Sequence, residues 1–257
     1  MTFDLHEYQL ASIFLVSLVV VLAASELGRV LGVRTGDRGG DQVFTLESAV
    51  LGLLALMIAF TFAMALSRFE SRRDAVLNEA NAIGTTALRA HLLPIPQSTE
   101  TLKLLREYVQ IRLDITQHIA TQAEFDAAVA RSNQIQEALW QQAMEVAAKD
   151  NGMVPTGLFI QTLNEMIDDQ EKRLTALRNQ VPNIVLLALY GVATVAGAFS
   201  GYAGGLGARA SRLPAYAIII LICAVILLIQ DLDRPSTGFI TTDRQPMIDT
   251  AAAIAKY

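Results

Sequence analysis

The sequence predicts an all-α membrane protein: four transmembrane helices, with a helical extramembrane bundle between the second and third spans. Three observations carry that prediction. Hydrophobic residues fill 53% of the 257 positions and mean hydropathy is +0.39, whereas the charged surface of a soluble domain pulls the average lower. Charge is segregated, with four long stretches almost free of it and most of it in the middle of the chain. No alternating strand pattern occurs, while apolar residues recur at helical spacing.

A hydrocarbon core of roughly 30 Å needs about 20 apolar residues in a helix. Four stretches meet that length: about Leu10 to Leu31, Leu46 to Leu66, Pro182 to Ala203, and Leu213 to Ile229. The leader of the first, MTFDLHEYQ, carries Asp4 and Glu7 and no basic residue, unlike the positive start of a signal peptide, so the first span reads as a retained anchor. Small residues recur every fourth position at Ala24, Gly28 and Gly32 in the first span. They do so again at Ala193, Gly197, Gly201 and Gly205 in the third. Such rows let helix backbones approach closely in lipid, either within one chain or between subunits. The glycine-rich stretch after Phe199 has no preceding strand and no GK[ST] ending, so it reads as a helix end and turn, not a phosphate loop.

Four spans put both termini and the middle domain on one side. A slight excess of Lys and Arg beside the middle domain, including Arg68, Arg72, Arg73, Lys172, Arg173 and Arg178, points to the cytoplasm. Arg29, Arg34, Arg38, Arg209 and Arg212 flank the two short loops. The expected segments are 1–45 (first span and short loop), 46–93 (second span, extending out of the membrane) and 94–181 (helical extramembrane domain). The third and fourth spans fill 182–230, and 231–257 is a C-terminal tail.

No proline interrupts the chain from Leu46 to Pro94, so the second helix should project roughly 35 Å beyond the bilayer. Pro94 and Pro96 then break it. A helix from about Ser98 to Ala120 follows. The next opens on a capping box, Thr121 with Glu124, and stops near Asn151-Gly152. The last runs from near Pro155-Thr156 to Gln180, with Leu163, Ile167, Leu174, Leu177 and Val181 on one face. Leu105, Val109 and Leu113, and then Phe125, Val129, Ile135 and Leu139, form comparable faces.

Several chemistries are excluded. A net charge of −5 provides no basic field for nucleic acid. The single cysteine, Cys223, allows no intrachain disulfide, and His6, His91 and His118 have no ligand spacing. No nucleophile elbow or meaningful acid pair occurs, which predicts neither enzyme activity nor a cofactor. Polar groups in spans remain as candidates, because they are costly there. Glu26 and Arg29 share a helix face as a candidate pair; Glu47 opens the second span as a helix cap or a pore-mouth carboxylate. Thr61 and Ser67 can bond back to their own helix.

Residues 54–73, LALMIAFTFAMALSRFESRR, resemble the end of the second helix in bestrophin-type channels. Ala59-Phe60 precedes Arg68-Phe69 by the nine-residue interval of that family, with Glu70, Arg72 and Arg73 following. NEANAIGTTALRAHLLP and DLDRPSTGFI resemble its prokaryotic bestrophin-like branch, and the likeness extends from Glu47 to Met247. The resemblance implies a homo-oligomeric ion channel of the bacterial inner membrane, pentameric by analogy. Small inorganic ions and membrane lipid would be its partners, and the second helix would line an axial pore. Gly52, Leu56 and Phe60 would face an apolar neck, and Glu47 and Arg68 would be pore-mouth residues. Helical spacing separately groups Leu53, Leu56 or Met57, Phe60 and Met64 on one side of the span, and an apolar ring can gate by dewetting.

Three features depart from the family pattern. Phe69 stands where paired tryptophans are common, Gly52 lacks the bulk of a neck residue, and the calcium clasp is reduced to Asp231, Asp233 and Asp243. Those carboxylates would need added carbonyls or water to bind calcium. Anion conduction is the leading reading; a cation-selective channel of the same architecture is the alternative that Glu47 favours. The rival class is a membrane-anchored sensor or scaffold whose helical domain binds a ligand or partner protein.

Overall fold

The computed structural model describes every residue except 1–7, 36–39, 118–120, 151, 207–211, 236–237 and 257. Asp4, His6, Glu7, Arg38, His118, Ala120, Asn151 and Arg209, named above, lie outside the described residues. Among those described, regular structure is helical: α1 (Leu10–Thr35), α2 (Gly40–Ala90), α3 (Gln97–Gln117), α4 (Gln122–Ala147), α5 (Leu158–Arg178), α6 (Asn183–Leu206), α7 (Leu213–Asp233) and α8 (Gln245–Ile254). Four helical stretches are long and apolar enough to cross a membrane, containing α1, α2, α6 and α7. The chain is a multi-pass membrane protein. It divides into two compact units, Met1–Phe69 with Gln180–Thr241, and Glu70–Asn179 with Thr242–Tyr257.

In the first unit α1 packs chiefly on α6, with backbones almost in contact. A methyl group added at Gly201 would lie 1.8 Å from the Ser25 carbonyl oxygen, and one at Gly28 would lie 2.1 Å from that of Ala198. Gly32 and Gly205 meet the backbone of the other helix at 2.3 and 2.4 Å in the same way. Only residues without Cβ fit there, so the two small-residue rows interlock inside one chain. The row on α1 is Val21, Ser25, Gly28 and Gly32; Ala24, expected in it, stands beside it and only half-buried. Glu26, which the spacing places on one face with Arg29, has partners beyond α1: it accepts from the Tyr216 hydroxyl and pairs with Arg212 Nη1 at 3.4 Å.

α2 packs its Leu54, Ala65 and half-buried Met57, Phe62 and Met64 into a cluster with Leu186, Leu189, Ala193, Ile226 and Ile229 of α6 and α7. Val181 joins this cluster, not the face of α5 to which its spacing assigned it. The reason is a break: α5 ends at Arg178 and α6 begins at Asn183, with Pro182 unable to continue the donor ladder.

The second unit is a helical bundle around Ile83, Leu105, Tyr108, Leu139, Phe159, Leu163 and Met166. The Thr121 capping box forms as read from sequence: Glu124 N–H donates to Thr121 Oγ1 (3.2 Å) and Thr121 N–H to Glu124 Oε2 (3.0 Å). The stretch expected as a tail, 231–257, divides. Asp231–Asp233 is the last turn of α7, while α8 buries Met247 and Ile254 in the bundle core. Thr250 Oγ1 donates to Ala80 O (3.3 Å) and Arg106 Nε to Ile254 O (3.5 Å). A ten-residue helix with two apolar anchors is too short to assert itself in a sequence reading.

Candidate functional site

Gly52, Leu56 and Phe60, expected at the neck, lie with Leu53 on one exposed face of α2. Leu53, Leu56 and Phe60 are 51, 52 and 64% exposed, and Gly52 has nothing within 4 Å of where a Cβ would stand. Ala49, Ala59, Ala63 and Ser67 continue the face along the helix. Met64 stands at the edge of that face, about 20° round the helix from Leu53, and differs from it in packing half-buried on the α6–α7 cluster. Among the described residues, then, the face is a strip of small and apolar side chains in an apolar helix. Thr61 is buried on the opposite side and donates to Met57 O at 2.7 Å, the back-bond expected of it. At the ends of the stretch, Glu47 is half-buried, and Arg68 Nη1 turns back onto Met64 O at 3.3 Å.

The carboxylates at the end of α7 serve the backbone. Asp231 accepts Phe239 N–H on Oδ1 (2.6 Å) and Ile240 N–H on Oδ2 (3.0 Å), folding the chain after α7 back onto it. Gly238 permits this, since a Cβ there would lie 2.6 Å from Asp231 Oδ1. Asp233 Oδ2 accepts Val181 N–H at 2.8 Å. Asp243 caps its own turn through Gln245 N–H (2.9 Å). Among the described residues no group of three or more His, Cys, Asp or Glu side chains is placed to hold a metal ion. Arg234, next to these acids in sequence, directs Nη2 to the Tyr8 carbonyl.

A third constellation escaped the sequence reading. In the second unit Glu79 is fully buried between two arginines: Arg112 Nε lies 2.7 Å from Oε1, and Arg173 Nη1 donates to Oε2 at 2.6 Å. The Tyr108 hydroxyl stands 3.0 Å from Glu79 Oε1 and 2.7 Å from Gln170 Oε1. Gln136 Nε2 donates to Gln170 Oε1 (3.1 Å), and Gln170 Nε2 to Asn133 Oδ1 (2.7 Å). Burial raises the Glu79 pKa, but the charges and hydrogen bonds of Arg112 and Arg173 outweigh it and hold the carboxyl below its ordinary range. Burial, with the Glu79 charge, pushes the Tyr108 phenol well up, so it is a neutral donor.

The family model of the bestrophin-like domain matches residues 13–247. The chain belongs to the bestrophin-like family. No curated protein matches it significantly. Its fold is similar to crystal structures of a bacterial bestrophin homologue from Klebsiella pneumoniae. One single-substitution variant aligns with a TM-score of 0.70 at 14% identity, covering 94% of this chain and 97% of that one. Another structure of that homologue aligns at 0.64 and 12% identity over 93% and 97% of the two chains.

In this bestrophin-like chain the buried charges did leave a trace in the sequence. Arg112 follows Leu105 by seven residues, Arg173 follows Met166 by seven, and Glu79 falls between Val76 and Ile83. All three charges therefore sit on inward helix faces, where a solvated charge does not belong.

Proposed function

We propose that this chain is a subunit of a passive ion channel, a homo-oligomer and by analogy a pentamer. The exposed face of α2 around Gly52, Leu56 and Phe60 would line its axial pore. The observation that carries the reading is that face: it turns small and apolar side chains away from the chain's own core, as a neck built from several copies requires. An apolar constriction passes ions only when wetted, so its side chains set both gating and conductance. Leu53 flanks the neck, and Glu47 and Arg68 stand towards its two ends. Anions are the favoured cargo, and the bacterial inner membrane, with the helical domain in the cytoplasm, the favoured site.

The test is halide flux into proteoliposomes loaded with the purified oligomer. Wild type should conduct. Phe60→Ala, which removes the most exposed large side chain of the face, should change the flux several-fold at equal reconstitution. Silence from verified oligomers under several salts and voltages would remove the reading. Flux of sodium in place of halide would keep the pore and reverse its selectivity.

A further inference from the structure

The buried cluster of the second unit does not balance its charge. Arg112 and Glu79 side chains are 0% exposed and that of Arg173 is 3% exposed. Two guanidiniums thus share one carboxylate, with a neutral Tyr108 hydroxyl beside it. Isolated charge is expensive to bury, several kcal/mol even after relaxation, so proteins pair it. Among the described residues no second carboxylate enters this cluster.

The hydrogen-bond inventory has the same sign. The amide and hydroxyl acceptors are already used: Gln170 Oε1 faces Tyr108 and Gln136, and Asn133 Oδ1 faces Gln170. Tyr108 Oη is reached by Gln136 Nε2 at 3.4 Å. The donors are in surplus. Arg112 Nη1 and Arg173 Nε are buried and have no hydrogen-bond partner in the protein. A guanidinium carries its N–H groups in one rigid plane, so those left over cannot be turned away to solvent.

We propose that Arg112 Nη1 and Arg173 Nε hold a small monovalent anion of the halide class inside the extramembrane bundle, beside Glu79. One negative charge brings the cluster to neutrality, whereas a divalent anion would overshoot it. Water could satisfy the N–H groups but would leave the charge. The bound anion joins α3 and α5, which carry the two arginines, against the Glu79 turn of α2, so the stability of the bundle follows halide concentration. The site is independent of the α2 face, and a channel that fails to conduct leaves it untouched.

Purified full-length protein in detergent, in sodium gluconate, is titrated with sodium bromide at constant ionic strength. The melting temperature should rise saturably, by about 3–6 °C at ten times the dissociation constant. Arg112→Gln and Arg173→Gln should each abolish the rise, and Arg131→Gln, on the surface, should keep it. Crystals grown in bromide should show an anomalous peak at hydrogen-bonding distance from Arg112 and Arg173. That peak alone decides the matter if neither variant folds. Equal melting in gluconate and bromide, a bromide effect that survives both substitutions, or density without anomalous signal would each overturn the site.

Discussion

The two units are held together in opposite ways. In the first, α1 and α6 meet where side chains are missing, with Gly28, Gly32, Gly201 and Gly205 bringing backbone against backbone. In the second, helices meet through large side chains: an apolar core from Ile83 to Met166 and, set into it, the Glu79, Arg112 and Arg173 charges. The contrast follows from the solvent. Lipid tails are as apolar as leucine, so spans gain little by burying leucine and must gain by close contact. A bundle outside the bilayer gains roughly 25 cal/mol for each Å² of apolar surface it removes from water. It can therefore carry a costly polar cluster that specifies which helices pair.

The largest effect that would break this comparison is expected at Gly201. A leucine there has no route past the Ser25 carbonyl, since the first side-chain carbon already falls 1.8 Å from it. The helices must separate, and every close contact along the row is lost with them. Gly201→Leu should leave no monodisperse protein by size exclusion in detergent. Normal yield and melting would mean that α1 and α6 are not tightly apposed.

Next comes Glu79. Removing the carboxylate leaves two buried guanidiniums facing each other, so Glu79→Ala should cost about 3–5 kcal/mol by thermal or denaturant melting of the purified protein. A triple replacement, Glu79→Leu with Arg112→Met and Arg173→Met, should recover most of that, because an apolar filling has no charge to desolvate. The pH dependence has a definite sign. The folded carboxyl titrates below its ordinary 4.5, so its contribution is fully present above that value and lost as pH falls through the lower, folded pKa. Wild type should weaken on that acid side, and the triple variant should lack this part of the loss.

These two sites also mark how much could be read from sequence. The four spans, the capping box and the small-residue rows were legible because each is periodic or local: hydropathy over about 20 residues, four residues of cap, a four-residue repeat. The partner of each glycine row was not legible, since spacing alone does not say whether Gly201 meets Ser25 or another subunit. Likewise, Met57 and Met64 share a side of the span with Leu53 and Phe60 by rough spacing. Packing against α6 and α7 pulls the methionines inward. The charged cluster joins positions 33 and 94 residues apart, and no local rule reaches that far. A charge on an inward face was the only available signal.

A smaller effect is expected at Asp231, where the two kinds of packing meet in one residue. The carboxylate is buried, as in the bundle, yet it serves backbone N–H groups, as the spans do. Asp231→Ala removes the acceptors of Phe239 and Ile240 and should cost about 1–3 kcal/mol. Hydrogen exchange should locate the damage: the amides of 239 and 240 should lose protection while those inside α7 keep theirs. Uniform loss along α7 would mean that Asp231 supports the helix and not the chain after it.

The smallest effect separates contact from composition. Gly191 lies in the same helix, α6, nearly two turns before Gly197, but nothing stands within 4 Å of its missing Cβ. If glycine matters because α1 and α6 need it in register, Gly191→Ala should change the melting temperature by no more than a degree or two. The sign should be upward, since alanine is the better helix former by up to about 1 kcal/mol. If glycine content as such keeps α6 pliable, Gly191→Ala should destabilise as Gly197→Ala does, where the added carbon meets Val21 Cγ1 at 2.8 Å. Melting both single variants side by side distinguishes the two, because they differ in what the new methyl touches and in little else.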